Sequence, residues 1–420
     1  MFYAPPTAYN RDMTQSGNGL EMSRRAVLTA TAALPVAARA GAPKKLPDRS
    51  AFDVEGTYLD SGTMHPPARG ARAAVADYFA RRGTAADYPI HAVEERVKER
   101  FARLVGASPA ELAFVQSTTA GEQMVIDALD LPRAGGRIVT DTLHFFGSFY
   151  LYEELARRGM DVAWLRPRDG RIAIEDYERA ITPGTRLVSL SLVSTYNGFE
   201  HDLKRVCEIA HARGALVYAD IIHAAGAVPI DLHGSGVDFA ATASYKWLMG
   251  DFGIGFLYAR ADRMDRLTRK RFGYYGLARF TPHVYPFDPP GDTVADVAAR
   301  DDAEGMFAMG TRSHAGIVQL DWSLGYLLDL GVDRLTAWRQ PLLDRLRVGL
   351  EAKGYSVATP PGCRAPLMTC VLADARAKLG ERLTNAGVRI TLSKNRFRVC
   401  PSMFNGEQDI DRLLDALPRA

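Results

Sequence analysis

The stretch Phe239-Ala-Ala-Thr-Ala-Ser-Tyr-Lys-Trp-Leu-Met-Gly-Asp-Phe-Gly-Ile-Gly-Phe-Leu-Tyr258 decides the fold. Residues 239–246 are apolar and strand-like and deliver Lys246, and the glycine-rich run behind them reads as a turn into a second strand. Upstream, the β-rich run Ala215-Leu-Val-Tyr-Ala-Asp220 ends on a carboxylate, with His223 three residues further on. A lone lysine means nothing. A lysine after one strand, following a carboxylate at the end of the strand before it, is a chemical pairing.

Working outward, helical and strand periods alternate between about residues 90 and 260. Val93, Val97, Phe101, Leu104 and Val105 fall on one helix face, with Glu94 and Lys98 as an i,i+4 pair. Strands are expected at 112–116, 137–141, 161–165, 187–193, 216–220, 239–244 and 253–259, with helices such as 120–129, 148–158 and 202–213 between many of them. Alternating β and α argues an α/β fold with a mostly parallel sheet covered on both faces. Ligands sit at the carboxyl ends of the strands in such sheets, which is where Asp220 and Lys246 fall. An amine and a carboxylate so placed suggest pyridoxal 5′-phosphate (PLP). The lysine forms a Schiff base with the aldehyde, and the carboxylate keeps the pyridine nitrogen protonated.

The run Asp220-Ile-Ile-His223, the Ser-Tyr-Lys-Trp segment and the glycine turn resemble fold-type I PLP enzymes of the class V aminotransferase family, from about Tyr58 to Leu417. The resemblance implies the PLP-dependent transferase fold (aspartate aminotransferase-like), with a mostly parallel seven-stranded large domain and a small α+β C-terminal domain. It further implies Thr118 and Thr119, before the helix that follows strand 112–116, as phosphate ligands. A flat ring stacked on the pyridine is expected at His144, with the register open over 144–146. Thr195 matches the position that contacts the cofactor's phenolate oxygen, and His223 stands where desulfurases carry glutamine. Around the lysine, Ala243 and Tyr245 replace the serine and histidine of desulfurases, so Thr242 or Ser244, together with Tyr245, is expected to serve the phosphate instead. Gly310-Thr311 resembles a motif whose threonine reaches the partner subunit's phosphate, which implies a homodimer with composite sites. Arg398 matches the residue that grips a substrate carboxylate, and His65 and the 273–283 loop lie where family substrates meet the protein.

The chain has 420 residues, 47% hydrophobic and 24% charged, with a net charge of +3, an ordinary globular composition that gives no reason to invoke nucleic acid. No apolar run approaches the ~20 residues that span a bilayer. The N-terminus carries Ser23-Arg24-Arg25-Ala26-Val27-Leu28, an Ala-rich apolar stretch and Ala38-Arg39-Ala40, resembling a twin-arginine (Tat) signal. The expectation is export by the Tat translocon to the periplasm or beyond, a route that carries folded proteins already loaded with cofactor. Residues 1–40 are thus read as signal, 41–65 as an arm, 66–312 as the PLP-binding domain and 313–420 as the small domain. Within this plan 262–312 loses all period, and long helices are expected at about 313–330 and 334–353. Cys207, Cys363, Cys370 and Cys400 show no metal-binding spacing.

The same parts serve several reactions once the α-proton is gone. Transamination of an amine-bearing small molecule is the leading expectation, with C–S or C–N lyase and epimerase as alternatives and a non-catalytic binding protein last. Desulfuration requires a nucleophilic cysteine before the substrate arginine, and 385–395 contains none.

Overall fold

The computed structural model describes residues 45–84 and 88–420, so the expected signal segment lies outside the described residues. Strand β1 (Thr57–Tyr58) and helices α1 (Arg69–Arg81) and α2 (Ile90–Val105) lead into the alternating region. There follow β2 (Leu112–Val115), α3 (Thr118–Ala128), β3 (Arg137–Asp141), α4 (Phe146–Arg157), β4 (Asp161–Leu165), α5 (Ile174–Ala180) and β5 (Thr185–Ser191). Next come α6 (Leu203–His211), β6 (Leu216–Asp220), α7 (Leu232–Ser235), β7 (Phe239–Ala243) and β8 (Gly255–Ala259). These strands form one seven-stranded sheet in the order β2-β8-β7-β6-β5-β3-β4, parallel except where β8 runs against both neighbours.

Strand periodicity explains the two-sided burial. Ile138, Leu187, Leu216 and Tyr218 face one core, while their neighbours Val139, Val188, Val217 and Ala219 face the other. Gly121 sets the approach of α3 to the sheet: a Cβ there would stand 2.7 Å from the Ala241 Cβ, so only glycine lets the helix N-terminus sit so close to β7. The parallel register lines up the ends of β5, β6 and β7, pairing Ser191 with Asp220 and Asp220 with Ala241.

The segment expected to be irregular contains an antiparallel pair, β9 (Leu277–Pro282) and β10 (Ala295–Ala299), followed by α8 (Ala303–Phe307). Its strands were illegible because neither face is buried, so no apolar alternation marks them. Helices α9 (His314–Leu330) and α10 (Val332–Ala352) come next. Helix α9 packs on α1 and α2, and its Ile317, Leu320, Leu324 and Leu327 join the core of the large sheet.

The remaining elements are β11 (Ser356–Val357), β12 (Met368–Val371), α11 (Ala375–Asn385), β13 (Val388–Arg389), β14 (Thr391–Leu392), β15 (Arg396–Val399) and α12 (Glu407–Ala416). A four-stranded sheet, β11-β12-β15-β14, has its own core with Phe397, Val399 and Leu413. Alternation along β15 leaves Arg396 and Arg398 on the face opposite that core, and Arg398 reaches the exit of β5. The arm before α1 ties the two sheets together. Strand β1 pairs with β13, and Asp60 bridges to Cys400.

Candidate active site

Lys246 is buried in the turn after β7, with Nζ 3.0 Å from His223 Nε2. His223 Nδ1 accepts the Trp247 indole N–H at 3.3 Å, which leaves the proton of the neutral ring on Nε2. That Nε2–H can go to Nζ, which accepts only when the lysine is uncharged, or to Thr195 Oγ1 at 3.1 Å. Burial, and then the Arg398 guanidinium, push the Lys246 pKa down to about 8. Burial, Lys246 and Arg398 likewise hold His223 well below the ordinary imidazole value. The first brings the amine within reach of deprotonation near neutrality, and the second keeps the ring uncharged.

From His223 the contacts continue outward. His223 Nε2 lies 3.1 Å from Thr195 Oγ1, which accepts from Arg398 Nη1 at 2.7 Å. Arg398 also donates to the Thr195 carbonyl at 3.1 Å, to Thr63 Oγ1 at 2.9 Å and to Thr391 Oγ1 at 3.2 Å. No carboxylate is among these partners, and Arg398 Nε is buried with no hydrogen-bond partner at all. Gly62 makes room for the arm here, since a Cβ would stand 2.6 Å from Cys400 Sγ and 3.5 Å from Arg398 Nη2.

Asp220 is buried at the end of β6, its Oδ1 accepting from the Ile222 amide at 2.9 Å and its Oδ2 from Ser191 Oγ at 3.3 Å. Burial raises its pKa, which marks a carboxylate with spare affinity for a proton. At the start of α3, Ser117 is the residue that caps the helix, taking the Ala120 amide at 3.1 Å. That leaves Thr118, whose Oγ1 accepts from the Ala243 amide at 2.9 Å, and the exposed Thr119 at a helix N-terminus with free anion-binding capacity. Tyr245 stacks on Phe252 with centroids 4.2 Å apart, and Lys246 Nζ lies 5.7 Å from the Tyr245 ring.

Three expected contacts are placed elsewhere. His144 is fully buried, so neither ring face is exposed, and both nitrogens are engaged: Nε2 meets Ser189 Oγ at 3.0 Å and Nδ1 accepts the Phe145 amide at 2.7 Å. Ser244 is buried and donates to the Asp251 carbonyl at 2.7 Å, so its hydroxyl is committed to the turn. His65 is buried among Phe52, Trp247 and Phe404, with Nδ1 on the Pro66 carbonyl at 2.8 Å and Nε2 on Ser402 Oγ at 2.7 Å. Burial lowers its pKa to about 4, the behaviour of a core histidine. Thr311 is exposed, 3.3 Å from the Tyr274 hydroxyl, and Ser313 caps α9 in its place.

Sequence reasoning missed Ser191, the hydroxyl on Asp220, and Glu122, a carboxylate buried behind it. The one available signal for Glu122 was a charged residue two positions before the apolar run Met124-Val125-Ile126.

Residues 58–393 match the family described as aminotransferase class-V, and the chain belongs to that family. It is 26% identical to the uncharacterized aminotransferase YcbU of Bacillus subtilis, over 77% of this chain and 82% of that protein. It is 28% identical to isopenicillin N epimerase of Streptomyces clavuligerus, over 77% of this chain and 83% of that protein. Among solved structures it resembles a lysine-to-alanine variant of C-DES that holds glycine covalently linked to PLP, with a TM-score of 0.77, 18% identity and coverage of 88% and 98%. The protein is a PLP enzyme.

Its residues fit that cofactor on independent grounds. A buried amine with a lowered pKa, a proton-hungry carboxylate, a guanidinium with an orphaned Nε and a helix N-terminus with a free threonine meet at the ends of the strands. The amine, the carboxylate and the orphaned Nε are buried, where unpartnered polar groups are costly.

Proposed function

We propose that the enzyme removes the α-proton of an amine-bearing small metabolite and that the outcome is transamination. PLP, when bound, supplies an aldehyde that takes up the amine and a ring that accepts the electron pair of the broken C–H bond. Lys246 holds that aldehyde and, once displaced, moves the proton. With its pKa down to about 8, Nζ can both take and return a proton near neutrality. Asp220 holds the proton of the ring nitrogen, while Thr118, Thr119 and the α3 N-terminus bind the phosphate. Thr195 and His223 face the phenolate oxygen. Phe145, the half-buried ring beside His144, takes the stacking position, because His144 has no face to offer. Arg398 receives the substrate carboxylate, on the strength of its lack of any carboxylate partner.

The observation that carries this reading is the 3.0 Å contact between Lys246 Nζ and a neutral His223, one strand away from the buried Asp220. The test is a screen of amino donors against the purified holoprotein, read by absorbance and by mass detection of pyridoxamine phosphate. Transamination predicts its accumulation with at least one donor. Turnover with no pyridoxamine phosphate would favour β-elimination or epimerisation, which share the first step. Desulfuration through a persulfide is not supported, since burial pushes the Cys400 thiol up and seals it beneath Gly62.

Two further parts of the proposal concern where and how the enzyme assembles. It works outside the cytoplasm, exported by Tat, so changing both Arg24 and Arg25 to lysine should leave the holoprotein in the cytoplasm. It also works as a homodimer in which Thr311 serves the neighbouring subunit's phosphate. The exposed position of Thr311 and its freedom from helix capping support this.

A further inference from the structure

Behind Asp220 lies a buried polar chain that touches neither the substrate nor the solvent. Glu122, on the first turns of α3, is buried and is surrounded by donors: Ser148 Oγ at 2.6 Å, Tyr152 OH at 2.8 Å, Ser189 Oγ at 3.2 Å and His144 Nε2 at 3.3 Å. Burial works against its charge, but His144, Ser148 and Tyr152 outweigh that and hold the carboxyl below its ordinary value. It is therefore an anion.

The orientation of His144 follows from its backbone. The Phe145 amide hydrogen points at Nδ1 from 2.7 Å, so that nitrogen keeps its lone pair and the ring proton sits on Nε2, facing Glu122 and Ser189. Glu122, Asp220 and Asp141 raise the ring's affinity for a second proton against burial, yet a proton on Nδ1 would meet the amide hydrogen head-on. His144 stays neutral. Ser191 Oγ lies 3.2 Å from the same Nδ1 and 3.3 Å from Asp220 Oδ2. Because Nδ1 is already taken, the single hydroxyl hydrogen of Ser191 goes to Asp220.

We propose that Glu122 is a positioning residue for Asp220: it accepts from the Nε2–H of the His144 tautomer that the Phe145 amide selects, so reinforcing the arrangement that leaves the Ser191 hydroxyl to the carboxylate, and its buried negative charge strengthens the hold of Asp220 on the proton of the ring nitrogen. The proposal rests on Asp220 facing the cofactor ring. The other groups that face Asp220 or this chain are all placed. Lys246 and His223 lie at the strand ends and Arg398 on β15; Arg398, and Lys246 when protonated, are cations that act against the effect of Glu122. Asp141 ends β3, where it accepts from the Leu143 amide at 2.7 Å and from Tyr177 OH at 3.1 Å. Tyr152 and Tyr218 are held well above the ordinary phenol value by burial and stay neutral.

The experiment loads the protein with PLP labelled with 15N in the ring and follows the nitrogen shift against pH. Wild type should release the ring-nitrogen proton only toward the alkaline end of the accessible range. Glu122→Gln should release that proton at lower pH, by about one unit. Glu122→Asp, which keeps the charge on a shorter arm, should recover part of the difference. Ser191→Ala, which removes only a hydroxyl, should move the titration the same way by a smaller amount, and it decides the matter if Glu122→Gln does not fold. Titrations of Glu122→Gln or, failing that, Ser191→Ala that coincide with wild type would overturn the proposal alone. A wild-type protein that takes up no PLP would overturn it together with the reading of the site.

Discussion

Two regions of this molecule are proposed to serve one cofactor, and they are built in opposite ways. At the ends of β5, β6 and β7 the polar groups are dry: Asp220 and Lys246 are only 4% and 7% exposed, and their partners come from adjacent strands of the same sheet. Between β8 and α9 the balance is reversed. Phe272 is 85% exposed and Phe287 wholly so, with Tyr274, Phe280, Val284, Val294 and Val297 also in solvent beside Thr311. Apolar surface on that scale is what the proposed homodimer would cover. The difference teaches that the strand ends are complete within one chain, whereas the hairpin segment reads as half of an assembly.

The largest expected effect tests the self-contained half. Asp220→Ala should leave PLP bound and slow α-proton removal by about 10²–10³, the value of a single transition-state electrostatic contact of roughly 3–4 kcal/mol. Single-turnover kinetics with a deuterated substrate would read it. Near-wild-type rates would mean that the dry region is structural.

The second prediction addresses the open half. Thr311→Ala should weaken PLP retention by about tenfold, the loss of one charge-assisted hydrogen bond, measured by dialysis against free cofactor. Mixing Lys246→Ala chains with Thr311→Ala chains should restore one intact site per heterodimer. Full retention in a monomeric Thr311→Ala protein would remove the difference between the regions.

A smaller effect sharpens the electrostatics of the dry half. Cofactor capture needs the neutral amine, so its rate should climb as Lys246 loses its proton. With the pKa lowered to about 8, PLP uptake by the apoprotein should level off just above that pH. A lysine of ordinary pKa would keep gaining rate to about pH 10.4. A profile still rising at pH 9.5 would show that Arg398 and burial do not act on Nζ as the structure places them.

The same contrast explains what was legible in the sequence. Strands buried on both faces announce themselves as apolar runs, so each of the seven sheet strands falls within about two residues of its expected span. Their ends carry Asp220 and Lys246 by topology alone. Side-chain direction at the exits was not legible, because one residue of slip turns a side chain to the other face. His144 and Phe145 differ by that one step, and so do Ser244 and Tyr245. The β9–β10 hairpin escaped because strands exposed on both faces carry no period. Glu122 escaped for a different reason: its donors come from α4, β5 and the turn after β3, a conjunction that exists only after folding.

The central claim is that PLP is held by Lys246. Reducing the holoprotein with borohydride, digesting it and mapping the phosphopyridoxyl group by mass tests it directly. The account predicts one modified lysine, Lys246, and none at Lys98, the other buried lysine among the described residues, which lies 3.4 Å from Glu304. A label on Lys98 or on a surface lysine, with Lys246 unmodified, would contradict it.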